Sequence, residues 1–544
     1  MGEGDELSGL VREVAEASLG FEDLRPGQEE AAAALLSGRD TLVVMPTGSG
    51  KSAIYQIAGG LIHGTSIVVS PLIALQHDQV EAIGDTFGGA AKINSSMTDK
   101  QRRETFEELG DGELEFIFLA PEQLANEDTL ERVRAARPSL FVVDEAHCIS
   151  SWGHDFRPEY LRLGAMVEAL GHPQVLALTA TASPPVRNEI VEQLGMRAPA
   201  VIVSGFHRPN IRLAVHPAPT AAEARDALVD QAVSLPGTGI VYVATRKQAE
   251  ELAGRLAARG RQAAAYHAGL SKKRREEVHG RFLDEGPLVV VATIAFGMGI
   301  DAPHVRFVLH ADPPESLDAY YQELGRAGRD GQPALAMLFH GLGDRGGRRF
   351  FGGTGDLPVA VLEALAVAVA AAAEPVATDA LGQLVQVPWP RLTVALDRLE
   401  RVGAVEVDGE GLVSWVEGAP SPNEAAARAA ADHAAYRAAE RTRSEMVTRY
   451  VESDSCRWRT LLAYFGERAE ESCGHCDNCD AGVAAEVQER DEPFPVEARV
   501  LHQAWGEGQV LSYEGDTMTV LFDEGGYRTL SVGLVTEKGL LQLA

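Results

Sequence analysis

The segment Thr41 to Ser52, TLVVMPTGSGKS, restricts what this chain can fold into more than any other. An apolar, β-rich run (Leu42, Val43, Val44) breaks into Pro46-Thr47-Gly48-Ser49-Gly50 and ends on Lys51-Ser52, ahead of a helix-compatible run from Ala53 to Gly59. A strand, a glycine-rich turn and a helix start gather several backbone N–H groups around one concavity. That concavity sits at the positive end of a helix dipole and suits polyphosphate. In such a loop Lys51 reaches the β- and γ-phosphates, and the Ser52 hydroxyl ligates Mg²⁺. Met45 stands where the strict pattern has glycine. A chance glycine-rich turn is the alternative, and the register of glycines, lysine and serine after a strand argues against it. A nucleoside triphosphate site is expected.

The chain of 544 residues exceeds one hydrophobic core, so about three to five domains are expected. No apolar run reaches transmembrane length, and the acidic start MGEGDELSGL is unlike a secretory or transit signal, so a cytosolic protein is expected. A net charge of −30 opposes indiscriminate adhesion to nucleic acid, and any such contact must use local basic patches. Four of five cysteines lie between Cys456 and Cys479, and in a reducing compartment this clustering reads as metal ligation rather than disulfides.

Upstream of the loop, Phe21, Arg25 and Gln28 precede or begin a helical run. An aromatic can stack on a base and a glutamine amide suits an adenine edge, although surface helices also carry glutamine. Downstream, LFVVDEAH delivers Asp144 and Glu145 to the end of a strand, at the sheet edge where the phosphate loop also ends. Asp144 would hold Mg²⁺ through water, and Glu145 would orient or deprotonate an attacking water. QVLALTATA ends in threonines that could link nucleotide state to movement. A second series of strands and helices begins near residue 220, so two parallel-sheet α/β lobes are expected, only the first with a phosphate loop. YYQELGRAGRDGQPA carries Arg326 and Arg329. An arginine from the second lobe could complete the first lobe's site as a finger on the γ-phosphate, the alternative being plain surface charge.

GFEDLRPGQEE, MPTGSGKS, VVSPLIALQHDQV, VVDEAHCISSWGHDFRPEY, ALTATA, VATIAFGMGID and YYQELGRAGRDG together resemble a RecQ-family DNA helicase over roughly residues 1 to 340. The resemblance implies two tandem RecA-like lobes, at 1–215 and 216–345. It implies that Phe21 stacks on adenine, that Arg25 and Gln28 read the nucleotide, and that Thr47, Gly48, Ser49, Gly50, Lys51 and Ser52 bind its phosphates. Arg329 becomes the arginine finger, with Arg326 beside it. The aromatic-rich stretch Trp152, His154, Phe156, Arg157 and Tyr160 becomes the loop that couples single-stranded DNA to hydrolysis. Aromatics stack on bases of any sequence, although Trp152 and Phe156 could instead pack between the lobes.

The C-terminal half departs from that family's usual plan. After a glycine- and arginine-rich connector, residues 346–418 read as a winged-helix-like segment of three helices and a hairpin. Its candidate helix offers only Arg391, Arg398 and Arg401, which leaves duplex binding and a scaffold role level. Residues 424–482 hold a long helix and Cys456, Cys473, Cys476 and Cys479, a spacing that suits a closed tetrahedral zinc site. His475 is a competing ligand. This segment again resembles the RecQ zinc module, but here the winged-helix-like segment precedes it instead of following it. Residues 495–544 alternate as short strands, like an SH3/Tudor-like barrel, read as a docking site for a protein partner rather than a bare cap. The expected whole is an ATP-, Mg²⁺- and Zn²⁺-dependent DNA helicase of bacterial type, with the 3′–5′ polarity that the resemblance implies. It would act on single-stranded and tailed or forked DNA in recombination and repair, in the cytoplasm at the nucleoid and without a membrane partner. The rivals are a translocase or RNA helicase on the same core, and a non-catalytic scaffold switched by ATP.

Overall fold

A computed structural model of the chain describes residues 3–71, 79–80, 83, 89–94, 97–124, 126–150, 157–284, 286–297, 300, 302–341, 357–408, 411–469, 471–484, 492–496, 498–514, 516–523 and 525–544. The first lobe is a seven-stranded parallel sheet. Its strands are β1 (Thr41–Val44), β2 (Ser66–Val69), β3 (Ala90–Ile93), β4 (Phe116–Leu119), β5 (Leu140–Val143), β6 (Gln174–Thr179) and β7 (Ala200–Val203), in the order β3-β4-β2-β5-β6-β1-β7. Every residue of β1, β2, β4 and β5 is buried. Helices cover both faces of the sheet, which is why TLVV, FIFL and LFVV read as unbroken apolar runs instead of alternating.

The register places the site. β1 lies beside β6, with Val44 opposite Thr179, and β5 lies on the other side of β6, with Val143 opposite Ala177. The phosphate loop after β1, the acids after β5 and the threonines after β6 therefore leave the same edge of one sheet, at strand carboxyl ends.

The second lobe repeats the design with six parallel strands. These are β8 (Ile211–Ala218), β9 (Thr238–Tyr242), β10 (Ala263–Tyr266), β11 (Val289–Ala292), β12 (Val305–His310) and β13 (Ala334–Gly341), in the order β10-β11-β9-β12-β13-β8. β8 is thus an open edge of backbone donors and acceptors, the kind of edge that folded proteins cover.

The next segment has helices Val359–Ala371, Thr378–Val385 and Trp389–Arg401, with short strands β14 (Val376–Ala377), β15 (Val405–Val407) and β16 (Leu412–Trp415) paired as β14-β16-β15. The expected order of three helices and a hairpin is present. The hairpin's central turn residues Gly409 and Glu410 lie outside the described residues, as does the connector from Leu342 to Asp356. Arg162 of the first lobe pins the hairpin base, donating to the Glu400 carboxylate and to the Val407 carbonyl.

A 31-residue helix, Pro422–Glu452, follows, capped at its start by the Ser421 hydroxyl. The helix Arg457–Tyr464 and the remaining cysteines complete that module. The chain ends in a five-stranded antiparallel sheet of β17 (Arg499–His502), β18 (Gly506–Glu514), β19 (Thr517–Phe522), β20 (Gly526–Ser531) and β21 (Leu541–Leu543), with the helix Val532–Lys538 before β21. Its order, β20-β19-β18-β17-β21, leaves β20 and β21 as its two edges. Among the described residues no helix is long and apolar enough to cross a membrane.

Candidate active site and zinc centre

Backbone geometry builds the phosphate loop. Gly48 and Gly50 both hold φ near 78°, in the left-handed region that a side chain disfavours, and Gly50 caps the helix Lys51–Leu61. Gln28 locks the turn from outside: its amide nitrogen donates to the carbonyls of Ser49 (3.1 Å) and Gly50 (2.8 Å), and its amide oxygen accepts from the Arg25 N–H (2.8 Å). Arg25 adds a hydrogen bond from its guanidinium to the Gly48 carbonyl. Both ends of the Gln28 amide are thus engaged by main chain, and Gln28 itself is only 4% exposed. Phe21, at the start of this segment, keeps an exposed ring.

Lys51 curls along the loop and donates to the carbonyls of Met45 (3.2 Å) and Pro46 (3.4 Å). Burial pulls its pKa below the ordinary lysine value, and the Arg329 charge adds to that fall, while Glu145 and Asp144 oppose it. Gln79 reaches the Ser52 hydroxyl at 3.5 Å. Asp144 is buried at the end of β5 and accepts the Glu145 N–H through Oδ1 (3.0 Å). Burial and then the Glu145 charge push its carboxyl up to about 7, against the pull of Lys51. Glu145 takes a left-handed φ of 49°. Its Oε2 lies 3.3 Å from His147 Nδ1, and that nitrogen lies 3.0 Å from Thr179 Oγ1. Thr179 Oγ1 in turn bonds the backbone of Thr181. The acids are therefore tied to the threonine loop through one buried histidine.

The second lobe closes over this assembly. A Cβ built on Gly48 would stand 3.3 Å from Arg329 Cδ, and one built on Gly325 would stand 3.9 Å from Thr47 Oγ1. Arg326 is oriented differently. It is 4% exposed and lies within the second lobe, its charge beside the Tyr242 hydroxyl and its Nη2 near Gly297. Gly328, with φ 56°, supplies the turn between the two arginines, and a Cβ there would clash with Asn210 Nδ2 at 2.5 Å. Arg208 and Asn210, in the segment joining the lobes, both donate to the Gly328 carbonyl, at 2.8 and 2.7 Å. Sequence reading missed these two residues. Their signal was a polar HRPN run placed just before an apolar strand.

The residues fit a triphosphate and its cation. Positively charged Lys51 and Arg329 stand beside paired carboxylates, and two buried polar atoms, Ser49 Oγ and Arg326 Nε, complete no hydrogen bond among the described residues.

Trp152, His154 and Phe156 lie outside the described residues. Arg157 turns its guanidinium towards the Pro71 carbonyl (3.5 Å). Tyr160, expected to face DNA, is instead fully buried, and its hydroxyl donates to the Asp144 carbonyl at 3.1 Å. An aromatic ring with no accessible face cannot stack on a base, so Tyr160 braces the acidic strand end. Arg398 and Arg401 of the helix Trp389–Arg401 are also turned inward. Both meet Asp432 of the long helix, Arg398 at 2.7 Å and Arg401 at 3.6 Å, and Arg398 lies over the Tyr436 ring.

The ligand sulfurs of Cys456, Cys473, Cys476 and Cys479 all lie within 4.8 Å of one another. Backbone N–H groups of Cys473 and Cys479 point at Cys456 Sγ (3.2 Å) and Cys476 Sγ (3.4 Å), which favours thiolates. Four sulfurs leave no open position, so the set fits structural Zn²⁺. The group whose ligand atoms converge is these four cysteines without His475, whose Nδ1 is 2.6 Å from the Cys473 carbonyl. The module covers the open strand β8: Trp458 Nε1 donates to the Ile211 carbonyl (3.0 Å), and Asp477 accepts the Val215 N–H (2.9 Å). It also reaches the first lobe, where Arg187 donates to both the Ala182 carbonyl (3.0 Å) and the Phe465 carbonyl (2.7 Å).

Three family models match this chain: a DEAD/DEAH box helicase domain over residues 25–189, a helicase conserved C-terminal domain over 223–331 and a RecQ zinc-binding domain over 423–480. The probable ATP-dependent DNA helicase RecS of Bacillus subtilis is 40% identical over 60% of this chain and 66% of its own length. The ATP-dependent DNA helicase RecQ of Pasteurella multocida is 42% identical over 61% of this chain and 52% of its own. The chain thus spans about half to two thirds of these relatives' lengths. The RecQ helicase of a Synechocystis strain matches more fully, at 35% identity over 85% of this chain and 96% of its own. Among solved structures, the helicase MrfA bound to DNA superposes with a TM-score of 0.53 at 17% identity, covering 78% of this chain and 64% of that one, a likeness of fold alone.

Proposed function

Because this chain belongs to the RecQ family of superfamily 2 helicases, we propose that it is an ATP-dependent DNA helicase. In this reading it moves 3′ to 5′ on single-stranded DNA and opens tailed or forked duplexes during recombination and repair. The supporting observation is the meeting of Arg329 from one lobe with the Gly48 turn of the other, beside Lys51 and the Asp144–Glu145 pair. A nucleotide in that position holds the lobes together, and its loss releases them.

Lys51 leaves the Met45 and Pro46 carbonyls to bind the β- and γ-phosphates, and Ser49 and Gly50 present backbone N–H groups there. Ser52 and Asp144 would hold Mg²⁺, which neutralises phosphate charge when bound. Glu145 positions the attacking water and accepts its proton, steadied by His147. Arg329 stabilises charge on the transferred phosphoryl group. Motion of the Thr179–Thr181 loop then carries the change in the site outward, with the stretch from Trp152 to Arg157 gripping the strand.

A second reading, translocation without strand separation, is favoured by one observation. Arg398 and Arg401, two of the three arginines that the candidate helix offers to a duplex, are committed to Asp432. Comparison of ATP turnover with strand separation on tailed duplexes distinguishes the two. We place the protein in the bacterial cytoplasm at the nucleoid. Any protein partner of the C-terminal sheet must use surface that the rest of the chain leaves uncovered.

A further inference from the structure

The C-terminal sheet has two packed faces. Val500, Val510, Met518, Val520 and Phe522 form its own small core. Leu511, Leu521 and Tyr527, each no more than 5% exposed, instead join the buried cluster that holds Ala182 of the first lobe, Tyr321 of the second and Phe465 of the zinc module. A module tethered only by its acidic linker would show one buried face, since its second would meet water.

Tyr527 reaches furthest into this junction. Its backbone N–H donates to Thr442 Oγ1 on the long helix (3.0 Å), and its ring lies 5.8 Å from that of Tyr464 with the planes 26° apart. The Tyr464 hydroxyl donates to the buried Asp318 carboxylate of the second lobe, beside Arg443 of the long helix. The neighbouring Gly526 allows this approach, since a Cβ there would stand 2.5 Å from Thr442 Oγ1. On the first-lobe side the Tyr527 hydroxyl lies next to that of Ser183. Both side chains are buried.

Ser183 directly follows the loop in which Thr179 holds His147, and His147 meets Glu145. Arg187 anchors the same loop to the zinc module. We propose that the C-terminal sheet is a fixed brace of the motor and that Tyr527 is a positioning residue for hydrolysis. Its ring is wedged between Ser183, Tyr464 and the long helix, and it sets the Thr179–Ser183 loop, and through it Glu145, against the second lobe. This inference rests on the ATPase reading above.

The test uses the full chain. Tyr527→Ala, Tyr527→Phe and Ser183→Ala are compared with the parent for kcat and KM for ATP at saturating single-stranded DNA, and for zinc content. The brace predicts that Tyr527→Ala loses roughly tenfold in kcat with KM and zinc unchanged, and that Tyr527→Phe, which keeps the ring, loses less. Parental kcat in zinc-replete Tyr527→Ala overturns it. A second measurement decides the matter where Tyr527→Ala does not fold. Spin labels at Leu534→Cys on the helix packed with the C-terminal sheet and at Glu192→Cys on the first lobe, both exposed positions, report one narrow distance if the sheet is fixed. A broad distribution, as from a tethered module, overturns the brace. If the parent shows no DNA-stimulated hydrolysis at all, the motor reading fails, and the distance still judges the brace.

Discussion

Arg329 lies across the interlobe cleft with its aliphatic stem over Gly48, at 3.3 Å from where a Cβ of Gly48 would stand. The contact joins a first-lobe turn that must stay bare to an arginine whose own turn depends on Gly328, held by Arg208 and Asn210. Two glycines thus fix how a cation from one lobe meets the phosphate site of the other.

Arg329→Ala should therefore lower kcat for ATP about a thousandfold while nucleotide affinity changes little, because the charge acts on the transition state. Arg329→Lys should not restore it, since a point charge on a different stem lacks the planar fork. Single-turnover hydrolysis beside a nucleotide-binding titration checks this. Equal losses in affinity and turnover would assign Arg329 to ground-state binding.

Gln28 acts through the loop it holds. Removal of the amide in Gln28→Ala frees the Ser49 and Gly50 carbonyls and the Arg25 N–H, and such a loss of buried hydrogen bonds costs about 1–3 kcal/mol. ATP affinity should fall roughly tenfold or more, read by titration with a fluorescent nucleotide. An unchanged affinity would show that the glycines alone hold the turn.

Much of this site was legible in the sequence because its determinants are local. Gly48, Gly50 and Lys51 need only their spacing, and β1 and β5 need only apolar runs long enough to be covered on both faces. The remainder depends on contacts between distant segments. Nothing near Tyr160 in sequence says that its hydroxyl meets the Asp144 carbonyl instead of facing DNA. Arg398 and Arg401 look like a basic helix face until the long helix supplies Asp432. Nothing near Trp458 in sequence says that its indole N–H satisfies the Ile211 carbonyl on the open edge of β8.

Arg398 gives a prediction of its own. It is 3% exposed, and its loss leaves Asp432 with one fewer partner. Arg398→Ala should destabilise the segment by roughly 2–3 kcal/mol, discounted from a fully buried pair because Asp432 is partly exposed. Duplex-DNA affinity of the folded variant should not change. A selective fall in duplex affinity would return this helix to DNA binding.

The zinc module is predicted to carry one zinc per chain, and its chelation should undo more than the cysteine cluster. Trp458, fully buried against β8, should become hydrated, so that its fluorescence shifts to the red, identified by difference from Trp458→Phe. The melting temperature should fall by roughly 10 °C. Chelation that leaves both signals in place would mean that the module holds together without its metal.

The most direct test of the motor is ATP hydrolysis and strand separation measured together on a 3′-tailed DNA duplex, a 5′-tailed DNA duplex and a 3′-tailed RNA duplex, with Lys51→Ala as control. The predicted result is ATP-dependent opening of the 3′-tailed DNA alone, abolished in the control. DNA-stimulated hydrolysis without opening of any duplex would contradict the helicase assignment and identify a translocase.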